Sequence, residues 1–182
     1  MIAALALVLL QSTSLPKCDL SQGLITSHSV GPLRLGEAVR DVRRRCPTIR
    51  DTVVVLDGPD GMPPDSVRAL VAHVHGGTVI AFVVHGRVDA FHLTTAGPQT
   101  VDSLGVGTSI RLFRRITGIG LVAGDHFAGV LLTISGRCGI SFILSDWGPT
   151  PQRDDEATLW VRRELDQWPD EIHVVSMSVY GC

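Results

Sequence analysis

The sequence predicts an α+β fold built from two tandem units, each a helix packed on an antiparallel β-sheet. Three observations lead to this prediction: an internal sequence match at an offset of 71 residues, β-rich segments after each copy of the match, and four cysteines placed so that a bridge can close each unit. Of the 182 residues, 45% are hydrophobic and 19% charged, with a net charge of −2. This composition is typical of a globular protein and argues against a disordered tail or a basic nucleic-acid-binding protein.

Residues 1–14 are predicted to be a signal peptide. Met1–Leu10 is an uncharged apolar run, too short to cross a bilayer but of the right length for the core of a signal peptide. Ser12 and Ser14 are small residues suited to cleavage before Leu15. We therefore expect an exported protein, periplasmic or secreted, with no transmembrane segment after cleavage, and a monomer with units at 15–98 and 99–182. Because no basic residue precedes the apolar run, a cytosolic domain with a buried N-terminal helix is the alternative.

Residues 31–46 match residues 102–117 without gaps. Each copy is predicted to form a short strand, a glycine turn and an amphipathic helix. In the first copy, Val39, Val42 and Cys46 share one helical face, and Pro47 ends the helix. In the second, Ile110 and Phe113 face inward. The identical pairs are Leu33 and Leu104, Gly36 and Gly107, Arg40 and Arg111, Arg43 and Arg114, and Arg44 and Arg115.

Segments rich in β-branched and apolar residues follow each copy. They predict strands over 52–56, 70–75, 78–85 and 88–95, and then over 129–134, 139–144 and 173–180. Two-residue turns at Gly76-Gly77 and Gly86-Arg87 would join the first set into a meander. The helix is then expected on the bulkier face of that meander, and residues 154–168 are predicted to form a later helix. The bulkier face comprises Val71, His73, Ile80, Phe82, Phe91 and Leu93.

The four cysteines are Cys18, Cys46, Cys138 and Cys182. An even number in an exported chain predicts two disulfides, although four cysteines allow three pairings and sequence alone does not choose among them. We favour Cys18 with Cys46 and Cys138 with Cys182, because each bridge then closes one predicted unit. The alternative is four buried thiols in a cytosolic protein.

The strand, Leu-Gly turn and helix followed by antiparallel strands resembles the repeat of BamE/SmpA-OmlA-type envelope proteins. In tandem, with internal disulfides, it also resembles the secreted β-lactamase inhibitory protein. The resemblance covers residues 31–46 and 102–117; those families usually carry Gly-Met-Thr where this chain has Gly36-Glu37-Ala38 and Gly107-Thr108-Ser109. It implies a non-catalytic envelope or secreted role and names no specific partner.

No set of residues forms a coherent active site, so we predict no catalytic residue, no metal and no cofactor. His73 and His75 lie on one side of a predicted strand and suit a shared metal only if a third ligand arrives. His85 and His92 are expected on the opposite face. The alternative to a non-catalytic protein is a small secreted hydrolase or metal-dependent enzyme that uses these histidines.

Two groups of side chains are candidate contacts for an unknown protein partner. Tryptophans anchor many binding surfaces, and all three lie in the last third of the chain. The arginines of the two matched segments suit an acidic partner, although a solvated helix face and a tryptophan core explain the same pattern. The candidates are Trp147, Trp160, Trp168, Arg40, Arg43, Arg44, Arg111, Arg114 and Arg115.

Overall fold

The computed structural model describes residues 18–56, 65–74, 76–123, 130–145, 159–160 and 165–182. Within these ranges the chain is mostly β, with two helices of seven and four residues. The helices are α1 (Val39–Arg45) and α2 (Ile110–Phe113). The strands are β1 (Leu24–Thr26), β2 (Ser29–Val30), β3 (Leu33–Arg34), β4 (Arg50–Leu56), β5 (Asp65–Val74), β6 (Gly77–Val84), β7 (Arg87–Leu93), β8 (Gln99–Thr100), β9 (Ile119–Ala123), β10 (Val130–Ile134), β11 (Ile140–Leu144), β12 (Leu159–Trp160) and β13 (Val174–Val179).

The predicted α+β class is wrong, because strands and not helices dominate both halves of the chain. A helix of four residues closes barely one turn, so α2 cannot form the helical layer that the prediction required. The helix predicted over 154–168 fails at Leu159–Trp160, which pair with β9 as a strand. Most of the remaining residues of that segment lie outside the described ranges.

One antiparallel sheet of nine strands runs through both halves, in the order β12-β9-β10-β11-β13-β7-β6-β5-β4. Strands β4 to β7 form one meander, and β9, β10, β11 and β13 form another. The two meanders join where β7 pairs with β13, with His92 opposite Ser178. The expectation of a separate sheet in each tandem unit is therefore wrong. A second sheet of four short strands, β3-β2-β1-β8, also links the halves through the parallel pair of β1 and β8.

The two segments that match in sequence also make matching backbone hydrogen bonds. Gly36 donates to the carbonyl of Val88 at 2.7 Å, and Gly107 donates to the carbonyl of Val174 at 2.7 Å. Both glycines have positive φ, 76° and 87°, a conformation that favours glycine. Each glycine turn is thereby attached to the first part of one central strand, β7 or β13.

The hairpin turn between β6 and β7 lies one residue earlier than predicted. Val84 pairs with Arg87, so His85 and Gly86 form the turn, with φ of 49° and 75°. Positive φ at both central positions is the mark of a type I′ turn, which suits the twist of a hairpin.

A bulge then changes which residues face the core. The register of β6 against β7 shifts between Phe82 and Val83. Phe91 and Leu93 are fully buried in the core, whereas Ile80 and Phe82 are half-buried on the opposite face. The prediction that these four residues share the core-facing side is wrong, since one extra residue in a strand reverses the faces of those beyond it.

The core lies between one face of the large sheet and the two helices with the small sheet. Val39 and Val42 of α1 and Ile110 and Phe113 of α2 are buried in it. The ring of Phe113 meets that of Phe142 edge-on, with centroids 5.1 Å apart.

Both predicted disulfides are confirmed. Cys18 is bonded to Cys46 and Cys138 to Cys182, with Cα atoms 5.0 and 5.4 Å apart. Disulfides of this kind are typical of proteins in an oxidising, extracytoplasmic environment. Among the described helices, neither is long and apolar enough to cross a membrane.

Candidate binding surface

The hairpin of β4 and β5 extends beyond the rest of the large sheet. Pairing between β5 and β6 ends at Ala69 and Phe82. Pairing between β4 and β5 continues for four more pairs, which bring together residues 53–56 and 65–68. We call this two-stranded extension the β4–β5 arm. The arm has no third paired strand among the described residues.

The arm exposes three large apolar side chains of β4. Val53 is 61% exposed, Val55 59% and Leu56 39%. Val53 and Val55 lie on one face of the arm, since alternate residues of a strand share a face. Exposed valines scattered singly are ordinary on protein surfaces, but Val53 and Val55 together form an apolar patch on one face of a projecting ribbon, which a partner can cover. Leu56 is exposed on the other face of the ribbon.

An ion-pair cluster holds the base of the arm. Arg68 donates to both carboxylate oxygens of Asp51, with Nε to Oδ1 at 2.9 Å and Nη2 to Oδ2 at 2.7 Å. Arg43 of α1 lies 3.8 Å from the same carboxylate. The hydrogen bonds from Arg68 lower the pKa of Asp51 below its ordinary value. A bidentate pair fixes the relative position of two strands better than a single contact does, so the arm leaves the sheet in a defined direction.

The arginines of the matched segments divide into surface and internal roles. Arg44 pairs with Asp41 at 2.7 Å on the exposed side of α1, and the Arg40 side chain is 87% exposed beside it. Arg111 and Arg115 are also exposed. Arg114 instead turns inward: its guanidinium donates to the backbone carbonyls of Leu165 and Trp168 and pairs with the Asp170 carboxylate. It anchors residues 165–170 to α2, whereas the matching Arg43 stays largely exposed, 3.8 Å from the Asp51 carboxylate of β4.

The tryptophans do not form a surface cluster within the described part of the chain. Trp168 is 2% exposed and belongs to the core. The backbone of Trp160 pairs with Leu121 in β9. Trp147 lies outside the described residues.

The histidines occupy separate places. His85 forms the β6–β7 turn, His73 is exposed near the end of β5, and His75 lies outside the described residues. His92 lies on the same face of the sheet as His73, two strands away, which corrects the expectation of opposite faces. The bulge accounts for the change, because moving a two-residue turn by one residue shifts the register by two and leaves the faces unchanged. In the part of the chain that the structure describes, no three histidine, cysteine or acidic residues converge as metal ligands.

One polar contact lies at the centre of the large sheet. The Nδ1 atom of His92 is 3.3 Å from the Oγ atom of Ser178, and burial lowers the pKa of His92 below its ordinary value. Ser141, next to Ser178 across the sheet, is 1% exposed. A neutral histidine that bonds a serine suits a half-buried sheet position without any catalytic role.

The arm is the feature that sequence reasoning missed. The strand itself was predicted at 52–56, but its projection was not. The signal was available in Val53-Val54-Val55-Leu56, a run without the polar alternation that a strand with one solvated face shows, placed directly before a long turn-rich segment.

No protein-family model and no curated protein matches the chain. Among solved structures, the crystal structure of the uncharacterized protein YfeY from Escherichia coli is similar, with a TM-score of 0.55 and 13% sequence identity. The match covers 86% of this chain and 99% of YfeY. At this identity the likeness shows a shared fold, so the chain has the overall fold of YfeY.

Proposed function

We propose that this chain is an exported, non-catalytic protein that binds another protein through the β4–β5 arm. The carrying observation is the arm itself, which places Val53, Val55 and Leu56 in solvent on a ribbon with which no third strand pairs in the described ranges. A two-stranded ribbon is marginal in water by itself, so an exposed apolar ribbon gains stability when a partner covers it.

The location proposed is the periplasm or the extracellular medium. The two disulfides support it, and so does the predicted signal peptide of residues 1–14 with its apolar run Met1–Leu10, which lies outside the described residues. Mass spectrometry of the protein recovered from its own cells tests this step. A mature terminus near Leu15 and a mass lower by four hydrogens are expected, whereas an intact Met1 with four free thiols contradicts export.

The proposal includes descent of the two halves from one duplicated unit. The sequence match of residues 31–46 with 102–117 and the equivalent bonds of Gly36 and Gly107 support it. The resemblance of these segments to the BamE/SmpA-OmlA and β-lactamase inhibitory protein repeats favours a binding role over a catalytic one. It supplies no partner identity.

Site-specific photocrosslinking tests the proposed role of the arm. Benzoylphenylalanine replaces Val55 in the protein produced in its own cells, and Val101, which is 77% exposed outside the arm, carries the same group as a control. We expect a discrete adduct from position 55 that position 101 does not give. The captured protein, purified separately, should bind the unmodified chain and bind the Val53→Lys/Val55→Lys variant at least about tenfold more weakly, because two charges then sit in the apolar contact. Absence of an adduct at 55, or equal binding by the variant, contradicts the proposal.

A small secreted hydrolase that uses histidines of the first sheet is the second candidate. The contact of His92 with Ser178 at 3.3 Å is the observation in its favour, since a serine beside a neutral imidazole is the start of a nucleophile and base pair. Ester hydrolysis that is present in the wild-type protein and lost in both His92→Gln and Ser178→Ala variants would establish this candidate; equal rates in all three proteins exclude it.

A further inference from the structure

The last strands of the two meanders occupy equivalent positions in the large sheet but differ in what lies beyond them. Strand β4 is the outer strand of the first meander, and β9 is the outer strand of the second. Beyond β9, the chain adds β12 antiparallel, with Leu159 opposite Val122 and Trp160 opposite Leu121. Beyond β4, the described residues supply no strand. The second half thus extends its meander with β12, whereas among the residues that the structure describes no strand pairs with the outer edge of β4.

Given its proposed function as a protein-binding module, we propose that the open edge of β4 takes up an extended apolar segment of its protein partner as an additional antiparallel strand. Unpaired backbone N–H and C=O groups along an edge are a template for such addition. The backbone pairing of β12 shows that the corresponding edge accepts an antiparallel strand, and the sequence of that strand is Leu159-Trp160.

Beyond Arg50 and Asp51 at its start, β4 lacks the devices by which proteins block an exposed edge. Residues 52–56 are Thr-Val-Val-Val-Leu, with no proline and no charge, and the register of β4 against β5 has no bulge. Edges that must stay unpaired usually carry lysine, proline or a bulge. The high strand propensity of valine and threonine keeps the edge extended and ready to pair.

Charge at the base of β4 sets the direction of the added segment. An antiparallel segment ends beside the start of β4, where Arg50 is exposed and the side chain of Arg43 is 60% exposed. The nearby carboxylate of Asp51 is already bonded to Arg68. A segment with an acidic residue at its C-terminal end therefore fits best, since it meets a net positive surface there.

A peptide titration tests strand addition with a defined probe. The probe is fluorescein-Gly-Thr-Leu-Trp-Val-Thr-Asp, whose Thr-Leu-Trp-Val part is that of residues 158–161. The control peptide is identical but N-methylated at Leu, Trp and Val, so it keeps the side chains and loses the backbone donors. Fluorescence anisotropy measures binding, and hydrogen exchange of the β4 amides, with and without peptide, locates it.

We expect the probe to bind, to slow exchange over residues 52–56, and to bind the Val53→Lys/Val55→Lys variant at least about tenfold more weakly. The matched Val101→Lys variant should bind as the wild type does. Strand addition is overturned if the N-methylated peptide binds as tightly as the probe. It is also overturned if the Val53→Lys/Val55→Lys and Val101→Lys variants lose the same affinity, or if the peptide slows hydrogen exchange only in β9. Protection of β4 without peptide, together with a concentration-dependent dimer in sedimentation, assigns the edge to a second copy and also overturns it.

The two experiments separate the two proposals. If position 55 crosslinks to a partner but the peptide does not bind, the binding role of the arm is supported and strand addition is contradicted. If the peptide binds at β4 but no protein is crosslinked, the capacity of the edge to add a strand is supported and the proposed cellular function is contradicted.

Discussion

Removing either disulfide should lower the free energy of unfolding by roughly 4 kcal/mol. Which of the two removals costs more should depend on whether the bond is reduced or its cysteines are replaced by alanine. The Cys18–Cys46 bridge spans 28 residues and the Cys138–Cys182 bridge spans 44. Loop-closure entropy in the unfolded chain gives about 3.6 and about 4.0 kcal/mol at 25 °C. By this term alone, the longer bridge stabilises more, by about 0.4 kcal/mol.

Burial of the cysteines adds a second term with the opposite ranking. Cys46 is fully buried in the core, whereas Cys138 and Cys182 are exposed. Substituting alanine for Cys46 removes the sulfur atom and leaves a small cavity, which costs about 1 kcal/mol. The Cys18→Ala/Cys46→Ala variant should therefore lose about 4.6 kcal/mol, and the Cys138→Ala/Cys182→Ala variant about 4.0.

Urea unfolding followed by circular dichroism measures both terms when each paired variant is studied oxidised and reduced. Reducing the remaining bridge of a variant removes the cross-link and keeps the sulfur atoms, so only the loop term is lost. We expect reduction of Cys138–Cys182 to lower the free energy of unfolding more than reduction of Cys18–Cys46 does. When alanines replace the cysteines, we expect the loss of Cys18–Cys46 to cost more. A loss below about 1 kcal/mol for either bridge, or the same ranking by both routes, would refute this reasoning.

Three further perturbations test the core and the centre of the sheet. Burial lowers the pKa of His92, so near pH 6.5 this histidine binds a proton more readily in the unfolded chain than in the folded one. The urea midpoint should therefore fall as the pH falls from about 7 toward the lowered pKa of His92. His92→Gln should flatten this dependence; a variant whose urea midpoint falls with pH as steeply as that of the wild type contradicts the assignment. Phe113→Ala should lower the free energy of unfolding by about 3–5 kcal/mol, since the ring is fully buried against Phe142, and a loss below about 1 kcal/mol contradicts that packing. Gly97→Ala should cost about 1–3 kcal/mol in the same assay, because the new methyl collides with the backbone carbonyl of residue 21, and an unchanged midpoint contradicts that close approach.

The features that sequence predicted well depend on local chemistry. Cysteines pair according to which strands and turns they flank, and the glycine turns at Gly36 and Gly107 need a backbone that few other residues adopt. Strand existence also followed from runs of β-branched residues. The helix predicted over 154–168 failed at Leu159–Trp160, because apolar spacing there served edge pairing with β9 and not a helical face. Periodicity alone does not separate those two uses of an apolar pair.

The projecting arm was beyond prediction because it depends on where neighbouring strands stop. Val53–Leu56 is predicted to be a strand in either case. Among the described residues, the pairing of β5 with β6 ends at Ala69 and Phe82, so no third strand pairs with the arm. The register of β6 against β7 also shifts after Phe82. A pattern of apolar residues predicts that a strand exists but not where the pairing of its neighbour ends.

The bulges themselves explain why the faces of the sheet could not be assigned from the sequence. Each meander has one at the same place: after Phe82 in the pairing of β6 with β7, and after Ile143 in the pairing of β11 with β13. In both cases the next paired residue of the central strand, Val88 or Val174, is the one that bonds the glycine turn of the matched segment. A bulge bends and twists its strand, so each is placed to bring the start of a central strand to its turn. No glycine or proline marks either bulge, and a period-two pattern read through them exchanges the buried and exposed faces of the residues beyond.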